Sequence, residues 1–375
     1  MFITDLNIDE LVIIFSYCNE IDHKNISKVC SLFEKIIEEH FFERKCRDSL
    51  MVTHMKNHYE LFERTFKGDM KYADRLKIYQ NWMYGTCQQI VFFQHRENYE
   101  TILEMNYNYL YTSSLGKFNV YKRNKNGIET KQFFSNGSDN TSRISSLKRR
   151  GNLIAGCKMN GSILTYDSDN GYNEEQVKNS SEQLNDIDFI NDTFVTVSRS
   201  DLSFYKLSSE LGLQTFDFCK NLNIGFKSIN FNPSGERLLT TKADSLHILD
   251  PTIPTITHSY LNRTQVFNTK WLDNKNFVFT SYSSPLSLID TRTEFRRSEF
   301  SCGNFTATCM DYDGRYGLIY GTLLGMMVLC DLRNVRTFER VFHLDASAIC
   351  RHIISDEAHL YVSTDNAIHL LNFDY

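Results

Sequence analysis

Hydrophobic residues follow a helical period near the beginning of the chain. The first stripe, spaced i, i+3, i+4 and i+7, consists of Leu11, Ile14, Phe15 and Cys18. The segments 26–37 and 41–46 repeat this spacing, and neither Pro nor Gly occurs before residue 68. Three short helices are therefore expected. So short a module cannot bury all its large apolar groups internally, and we expect it to present apolar surface to a partner.

From about residue 88 the hydrophobic period changes to two, in runs of β-branched and aromatic residues bounded by Asn, Asp, Gly and Ser. One type of strand recurs, and its last buried position is occupied by Tyr121, Tyr166, Tyr205, Leu249, Ile289, Cys330 and Leu371. The spacings between these residues are 45, 39, 44, 40, 41 and 41. Seven copies of an all-β unit of this length predict a seven-bladed propeller.

The two ends of the predicted ring complement each other. The last unit stops after its third strand, so one strand is missing there. Residues 88–95 form a spare strand before the first unit. Pairing this strand with the seventh blade would close the ring and remove two exposed sheet edges.

The repeats resemble degenerate WD40 repeats. The closing Asp of that repeat is matched by Asp167, Asp250, Asp290 and Asp331, and is replaced by Asn372 in the last unit. The Trp that precedes this Asp in the family is replaced throughout by Tyr, Leu, Ile or Cys, and the Gly-His dipeptide is missing. The departure concerns the usual buried polar network and leaves the number of blades unchanged.

The first 46 residues resemble an F-box, a helical module that binds the adaptor Skp1. The resemblance lies in the segment 6–18 together with Asp22, Val29-Cys30 and Phe33. It implies that Skp1 is bound by Leu6, Asn7, Leu11, Ile14, Phe15, Cys18, Val29, Cys30 and Phe33, with Phe15 contributing the largest contact. Periodicity alone also fits a plain helical hairpin whose core these residues form.

The order of the modules resembles the F-box/WD-repeat family: an F-box at 1–46, a helical linker at 47–87 and a seven-bladed ring at 88–375. The fold class expected is mainly β, with a small all-α part in front. The resemblance implies a non-catalytic adaptor of a Skp1–cullin–F-box ubiquitin ligase, reaching cullin and the RING subunit through Skp1, with the linker as a spacer. The alternative is a WD-repeat scaffold that acts outside a ubiquitin ligase.

The substrate is expected on the face that carries the connections entering each unit and the turns joining its second and third strands. The cationic and aromatic residues at or next to these loops are Arg143, Arg199, Lys242, Arg263 and Tyr282. Such a cluster suits an acidic or phosphorylated segment of a protein substrate. Scattered solvated charge is the alternative interpretation.

Composition narrows the remaining classes. The net charge of −5 argues against a dedicated nucleic-acid binder. The beginning of the chain lacks the basic region of a signal peptide, and without a run of about 18 apolar residues no membrane span is expected. Ten scattered cysteines fit reduced thiols in a cytoplasmic or nuclear protein.

Candidates for chemistry are few. His54 and His58 have a spacing that can bind a metal on a helix, but no third ligand lies nearby in the sequence, so no metal and no cofactor are expected. The basic run 148–150 is interpreted as a solvated loop, with a targeting or phosphate site as the alternative. Nucleophile and phosphate-binding motifs are missing, so we predict no catalytic site. A propeller hydrolase would need His and carboxylate groups converging on the centre of the ring.

Overall fold

The computed structural model describes residues 3, 6–52, 64–65, 70–94, 101–114, 116–124, 127–134, 142–167, 171–178, 182–210, 213–262, 264–282, 286–293, 297–300, 305–334, 337–344 and 348–374. His54, His58 and Arg263 lie outside these residues. The helical elements are α1 Ile8–Ser16, α2 Glu20–Ile26, α3 Ser31–Ile36, a π-helical segment Ile37–Phe42, α4 Glu43–Asp48 and α5 Tyr72–Tyr84.

Local hydrogen bonds fix where the first helices begin. Asn7 and Glu10 form a capping box before α1, in which each side chain accepts a backbone N–H of the other residue at 2.9 Å. Asn19 and Asp22 do the same before α2. At the other end of the helical part, Gly85 ends α5 with a φ of 70°, a conformation that glycine adopts without strain.

The strands form antiparallel sheets of four. Within the described residues there are seven such sheets, which we call blades 1–7 in chain order. Blade 1 consists of β2 Ile102–Met105, β3 Tyr109–Ser114, β4 Lys117–Asn124 and β5 Gly127–Phe134. Blade 2 consists of β6 Ile144–Arg150, β7 Leu153–Lys158, β8 Ser162–Asp167 and β9 Gly171–Gln176. Blade 3 consists of β10 Leu184–Ile190, β11 Thr193–Ser198, β12 Leu202–Glu210 and β13 Leu213–Leu222. The predicted seven-bladed propeller is confirmed.

Blade 4 consists of β14 Ser228–Phe231, β15 Leu238–Thr241, β16 Ser245–Asp250 and β17 Thr255–Leu261. Blade 5 consists of β18 Val266–Trp271, β19 Asn276–Ser281, β20 Leu286–Asp290 and β21 Arg297–Phe300. Blade 6 consists of β22 Ala307–Tyr312, β23 Gly317–Thr322, β24 Met326–Asp331 and β25 Phe338–His343. Blade 7 contains β26 Cys350–Ser355, β27 His359–Thr364, β28 Ala367–Asn372 and β1 Gln88–Gln94. The first strands of blades 1–7, β2 to β26, contact one another around the channel, and the fourth strands form the rim.

The ring closes as its two ends predict. β1 pairs antiparallel with β28, from Gln88 opposite Asn372 to Gln94 opposite Ala367. The seven residues that recur at the end of the third strand are all buried, since Tyr121, Tyr166, Tyr205, Leu249, Ile289, Cys330 and Leu371 are at most 8% exposed. Each packs into a hydrophobic cluster of the ring, so large aromatic and aliphatic groups do the packing where the repeat's Trp is missing.

The segment predicted as a spacer packs against the ring. Ile78 and Trp82 of α5 are fully buried, together with Leu50 and Met51, in a cluster formed with blades 6 and 7. The Trp82 ring stacks on Phe373 at a centroid distance of 3.7 Å. A spacer separates two bodies, whereas this segment shares a core with one of them. The expectation of a spacer is therefore wrong on this point.

Buried ion pairs strengthen the same junction. Arg75 of α5 contacts Glu357 at 2.5 Å, and Arg64 contacts Asp311 of β22 at 2.9 Å. Burial alone would raise the pKa of Asp311, but Arg64 and Lys270 hold it below the usual range. Both carboxylates are buried and fixed by their arginines, so the helical part is attached to blades 6 and 7 in one orientation.

The basic run 148–150 is a strand, not a solvated loop. It lies in β6, the first strand of blade 2, because the ring needs a strand there whatever the charges of its side chains. The Lys148 ammonium donates to the Asn230 side chain at 2.9 Å, and Arg150 contacts Asp188 at 3.2 Å. These partners lie on the first strands of blades 3 and 4, so the cations contribute to contacts between blades around the channel.

A histidine in this polar channel should make the ring sensitive to acid. His352 lies on β26, and burial, followed by Lys148 and Lys270, lowers its pKa to about 4, whereas Asp311 acts in the opposite direction. Between pH ~6.5 and ~4 the unfolded chain therefore takes up a proton that the folded chain does not. His352 should thus remove stability on the order of 3 kcal/mol as the pH falls through this range.

We expect this loss to appear as a difference between the wild type and His352→Gln. Denaturant unfolding measured from pH 7 to pH 4 should show the wild type losing more stability than the variant. The comparison is needed because burial raises the pKa of Asp313 to about 6, which acts in the opposite direction in both proteins. Parallel curves for the two proteins would contradict the assignment.

Candidate functional site

A basic cavity opens on one face of the ring, over blades 2, 3 and 4. Its volume is about 540 Å³, and it is lined by Arg143, Ser145, Met159, Asn185, Arg199, Gly225, Phe226, Lys227, Lys242 and Ala243. The four cationic residues among them are exposed. Among the described residues, Asp244 is the one exposed acidic residue that directly adjoins a lining residue in the sequence. The cavity therefore offers a concentration of positive charge around a partly apolar floor.

The positions of the cations follow from the architecture of the blades. Arg143 and Lys227 precede the first strands of blades 2 and 4, whereas Arg199 and Lys242 lie in the turns between the second and third strands of blades 3 and 4. In an antiparallel blade these two kinds of connection lie on the same face. Neighbouring blades thus bring together residues that are 28 to 99 positions apart in sequence.

Two loops meet in close backbone contact at the floor of the cavity. A Cβ atom at Gly225 would lie 1.8 Å from the carbonyl oxygen of Arg199, so only glycine allows the two loops to approach this closely. The backbone N–H of Phe226 donates to the carbonyl of Ser198 at 3.2 Å. These contacts join the turn of blade 3 to the connection that enters blade 4, and they hold Arg199 in place at the mouth.

An aromatic ring supports the cations on the side of blade 4. The Lys242 ammonium lies 5.5 Å from the centroid of the buried Phe226 ring. His247 contacts the same ring edge-on at 5.8 Å, and its pKa is lowered by burial and by Lys242. The neutral form of His247 is thereby favoured, so the positive charge of this side of the cavity resides on lysine and arginine.

The structure brings together three of the five residues predicted to bind substrate. Arg143, Arg199 and Lys242 line the cavity, whereas Tyr282 is exposed in the corresponding turn of blade 5 and does not line it. Sequence reasoning missed Lys227 and Phe226. Their position could have been inferred from the repeat, because both residues precede the first strand of blade 4, as Arg143 precedes the first strand of blade 2. The binding role of all these residues stays a prediction.

The helical part carries a second candidate site. The side chains predicted to bind Skp1 divide into three groups: Leu11, Phe15 and Phe33 are buried, Leu6, Cys18 and Cys30 are partly buried, and Asn7, Ile14 and Val29 are exposed. Phe15 packs edge-on against Phe33 at 5.1 Å inside the helical core. Phe15 was expected to make the largest contact with Skp1. In the structure its ring instead packs inside the helical core, which corrects that expectation.

Several large apolar side chains lie on the outside of these helices, and only Ile14 and Val29 among them belong to the predicted set. The exposed residues Ile8, Ile13, Ile14, Tyr17, Ile21 and Val29 are together called the apolar helical surface. Tyr17 is 87% exposed and Val29 is 69% exposed. So many large apolar groups exposed on one small module are typical of a protein-binding surface.

The two candidate sites lie on opposite sides of the ring. The helical part contacts Asp313 and Glu357, which lie in turns between the first and second strands of blades 6 and 7. Those turns lie on the face opposite the cavity, at the other end of strands of about six residues, or roughly 20 Å. A partner on the helices and a ligand in the cavity would therefore not compete for space.

Two structural comparisons agree with this architecture. The WD40 β-propeller domain of Doa1 matches with a TM-score of 0.59 at 12% identity, covering 76% of this chain and 97% of that domain. The computationally designed Ika8 protein matches with a TM-score of 0.53 at 9% identity, covering 75% of this chain and 98% of that one. At these identities the likeness shows a WD40-type propeller fold and nothing of function.

Comparisons of the sequence itself found no counterpart. No family model matches the chain, and no curated protein matches it. Among the helices of the described residues, none is long and apolar enough to cross a membrane. In the same part of the chain, no three His, Cys, Asp or Glu side chains are grouped as metal ligands.

Proposed function

We propose that this chain is a two-sided protein-binding adaptor, in which the helical part binds one protein and the ring binds another. The observation that carries the proposal is the placement of an apolar helical surface and a basic cavity on opposite faces of one joined body. Such an arrangement holds two partners at a fixed separation and raises the effective concentration of one near the other.

The F-box resemblance makes this proposal specific. In that version the helices bind Skp1, the chain is the substrate adaptor of a Skp1–cullin–F-box ubiquitin ligase, and ubiquitin transfer takes place on other subunits. Within the F-box/WD-repeat proteins, segments 80–87 and 360–374 resemble dactylin most. The domains are an F-box at 1–46, a linker at 47–87 and a ring at 88–375. A WD-repeat scaffold outside a ubiquitin ligase is the second candidate.

The exposed apolar side chains would form the contact with Skp1. Ile14 and Val29 belong both to the predicted set and to the apolar helical surface. Tyr17 lies between them in sequence and is the most exposed large hydrophobic residue among the described residues of the module. Large exposed aromatic groups commonly dominate protein interfaces. Leu11, Phe15 and Phe33 would act indirectly, because they hold the helices that present this surface.

The cavity would bind the substrate. Four cations within three neighbouring blades suit a segment that is acidic or phosphorylated, since arginine and lysine make charge-assisted hydrogen bonds to carboxylate and phosphate oxygens. The side chains of Phe226 and Met159 offer the same segment an apolar contact. Scattered surface charge, the alternative from sequence, would not be expected to converge on one cavity.

Co-elution of the full chain with purified Skp1 tests the first half of the proposal. We expect the wild type to co-elute and Tyr17→Asp/Val29→Asp to bind at least about tenfold more weakly, because both substitutions place charge in the contact. Both positions are exposed, so the fold should persist. Tyr84→Asp, at an exposed tyrosine 72% accessible at the end of α5, is the matched control and should bind normally.

Either of two results would favour the scaffold alternative: a wild type that does not bind Skp1, or a double variant that binds it as well as the control. The ring is tested separately with Arg199→Glu/Lys242→Glu, which should keep Skp1 binding. Proximity labelling with the ligase inhibited should lose specific captured proteins in this variant, and those proteins should turn over more slowly in cells that lack the chain. Identical captured sets would contradict binding in the cavity.

A further inference from the structure

The rim of blade 4 has an open sheet edge without charge. β17, the fourth strand of this blade, pairs with β16 on one side, and five successive residues, Thr255–Ser259, are exposed. The backbone N–H and C=O groups on the outer side of such a strand can pair with another strand. Natural sheets normally protect an edge of this kind with lysine, other charges or proline within the strand, or with a β-bulge. Of these devices β17 has only a bulge at Thr257, where its register with β16 shifts.

The sequences of the other rim strands contain charged residues, apart from β1. Their charged residues are Glu129 and Lys131 in β5, Glu174 and Glu175 in β9, Asp217 and Lys220 in β13, Arg297 and Glu299 in β21, and Glu339 and Arg340 in β25. Although β1 is also uncharged, its Phe92 packs edge-on against Tyr121 of blade 1 at 5.1 Å. The neighbouring blade thus covers part of β1, in which three of the seven residues are exposed. In β17 six of the seven residues are exposed, and Tyr260 alone is buried, against Phe277 of blade 5.

Exposed apolar side chains flank the same edge. Ile253, Ile256 and Leu261 are 66%, 40% and 75% exposed. Between residues 251 and 262 the sequence contains no Lys, Arg, Asp or Glu. An incoming strand would therefore meet an apolar and hydroxylic surface, and a charged strand would lose the solvation of its charges without gaining a partner for them.

We propose that β17 pairs with β17 of a second copy of this chain, in an antiparallel arrangement about a two-fold axis. A strand that meets its own copy in this way is complementary in hydrogen bonding, and a two-fold axis closes the assembly at a dimer. With the axis at His258, Ile256 lies opposite Tyr260 of the second copy, and Thr255 lies opposite its Leu261. No charged pair arises within the contact, so self-pairing brings none of the like-charge repulsion that the other rim strands would suffer.

The contact area indicates a weak dimer. Two strands of seven residues bury much less than the roughly 1,600 Å² of a stable interface. Association should therefore depend on concentration and should be reversible. The inference is independent of the adaptor proposal, because the rim of blade 4 is neither the apolar helical surface nor part of the basic cavity.

Sedimentation velocity of the full chain tests the dimer. The sedimentation coefficient should rise with concentration in the wild type, up to about 100 µM, as expected for a small interface. Ile256→Lys should remain monomeric, because a charge on the edge strand opposes pairing. Val91→Lys, on the exposed side of β1, carries the same charge on another rim strand and should still dimerise. Circular dichroism confirms that each variant is folded.

Cross-linking tests the register. In a Cys219→Ser background, which removes an exposed thiol, single cysteines are placed at Thr255, Thr257 and His258. Near the axis the paired Cα atoms are about 4.5–5.5 Å apart, within disulfide range, whereas the two Thr255 positions are roughly 20 Å apart. Mild oxidation should join chains through position 258, which faces its own copy across the axis, and not through 257 or 255, because position 257 faces residue 259 and lies about 8 Å from its own copy. A monomeric wild type, or equal cross-linking at all three positions, would overturn the proposal.

Discussion

Replacing Trp82 with alanine should lower the free energy of unfolding of the full chain by about 3–5 kcal/mol, the range for removing a fully buried large aromatic side chain. Trp82 is fully buried between the helical part and the ring. Its ring stacks on Phe373 and meets Phe342 edge-on at 5.7 Å, and its indole N–H donates to the carbonyl of Glu357 at 2.9 Å. The substitution would leave a cavity and a buried carbonyl without its donor.

The position of Trp82 explains why its effect should reach the whole ring. Phe373 follows β28 directly, and β28 pairs with β1, which follows α5 in the chain. Asn81, next to Trp82, donates its side-chain amide to the carbonyl of Phe373 at 2.7 Å. The helix thus holds both strands that close blade 7. Loosening this contact should weaken ring closure as well as the attachment of the helices.

Chemical denaturation can follow this loss through the second tryptophan. The chain contains two, and Trp271 lies in blade 5, so its fluorescence reports the unfolding of the ring in every Trp82 variant. Trp82→Phe is the matched control: it keeps an aromatic ring but loses the indole donor, and should cost about 1–3 kcal/mol. A loss below about 1 kcal/mol for Trp82→Ala would show that α5 is separable from the ring.

The sequence predicts the ring well because repetition makes a weak local signal strong. A single buried position such as Tyr166 or Leu249 shows little, but seven at similar spacing fix the number of blades. The pairing of β1 is predictable for a related reason: the last repeat supplies only three strands, and β1 precedes the first repeat without belonging to it. In both cases the information lies in the pattern along the chain.

Contacts that join distant segments are not predictable in this way. Arg75 and Glu357 are 282 positions apart, and nothing in either neighbourhood indicates that a helix will lie on blade 7. The same limit explains the helical surface. A period of 3.6 places Phe15 on a stripe with Ile14, but which of the two is buried depends on where α3 packs. The basic run 148–150 was misread because its partners come from other blades.

The cavity lies between these two cases. Arg143, Arg199 and Lys242 could be placed on one face, because the repeat shows which connections share it. Their convergence on blades 2, 3 and 4 depends on the order of neighbouring blades and on the close approach at Gly225, which the sequence does not reveal. A repeat protein thus allows the face of a site to be predicted more readily than its exact members.

Arg123 should be the most costly single charge to remove from this protein. It lies on β4 of blade 1 with a fully buried side chain, and it forms an ion pair with Asp356 in blade 7. It also donates to the carbonyl of Arg64 at 2.7 Å and to that of Asn106 at 2.5 Å. One guanidinium thereby joins the first blade, the last blade and the segment before α5, at the seam where the ring closes.

Arg123→Met should destabilise the chain by about 3–5 kcal/mol, chiefly because it leaves the carboxylate of Asp356 buried without its arginine. Burial alone would raise the pKa of Asp356, and His359 together with Arg123 lowers it to about 2. Adding Asp356→Asn to the variant removes the stranded charge, so the double variant should recover part of the loss. That recovery separates the cost of an unpaired charge from the cost of lost packing.

An exposed pair of the same chemistry provides the control for this experiment. Arg292 contacts Asp290 at 2.7 Å, but the two side chains are 58% and 24% exposed. Arg292→Met should therefore cost much less stability than Arg123→Met, because water solvates the carboxylate that remains. Denaturant unfolding of the four proteins gives the comparison. Equal losses for Arg123→Met and Arg292→Met would mean that the seam of the ring is hydrated, and that Arg123 contributes to closure no more than a surface arginine does.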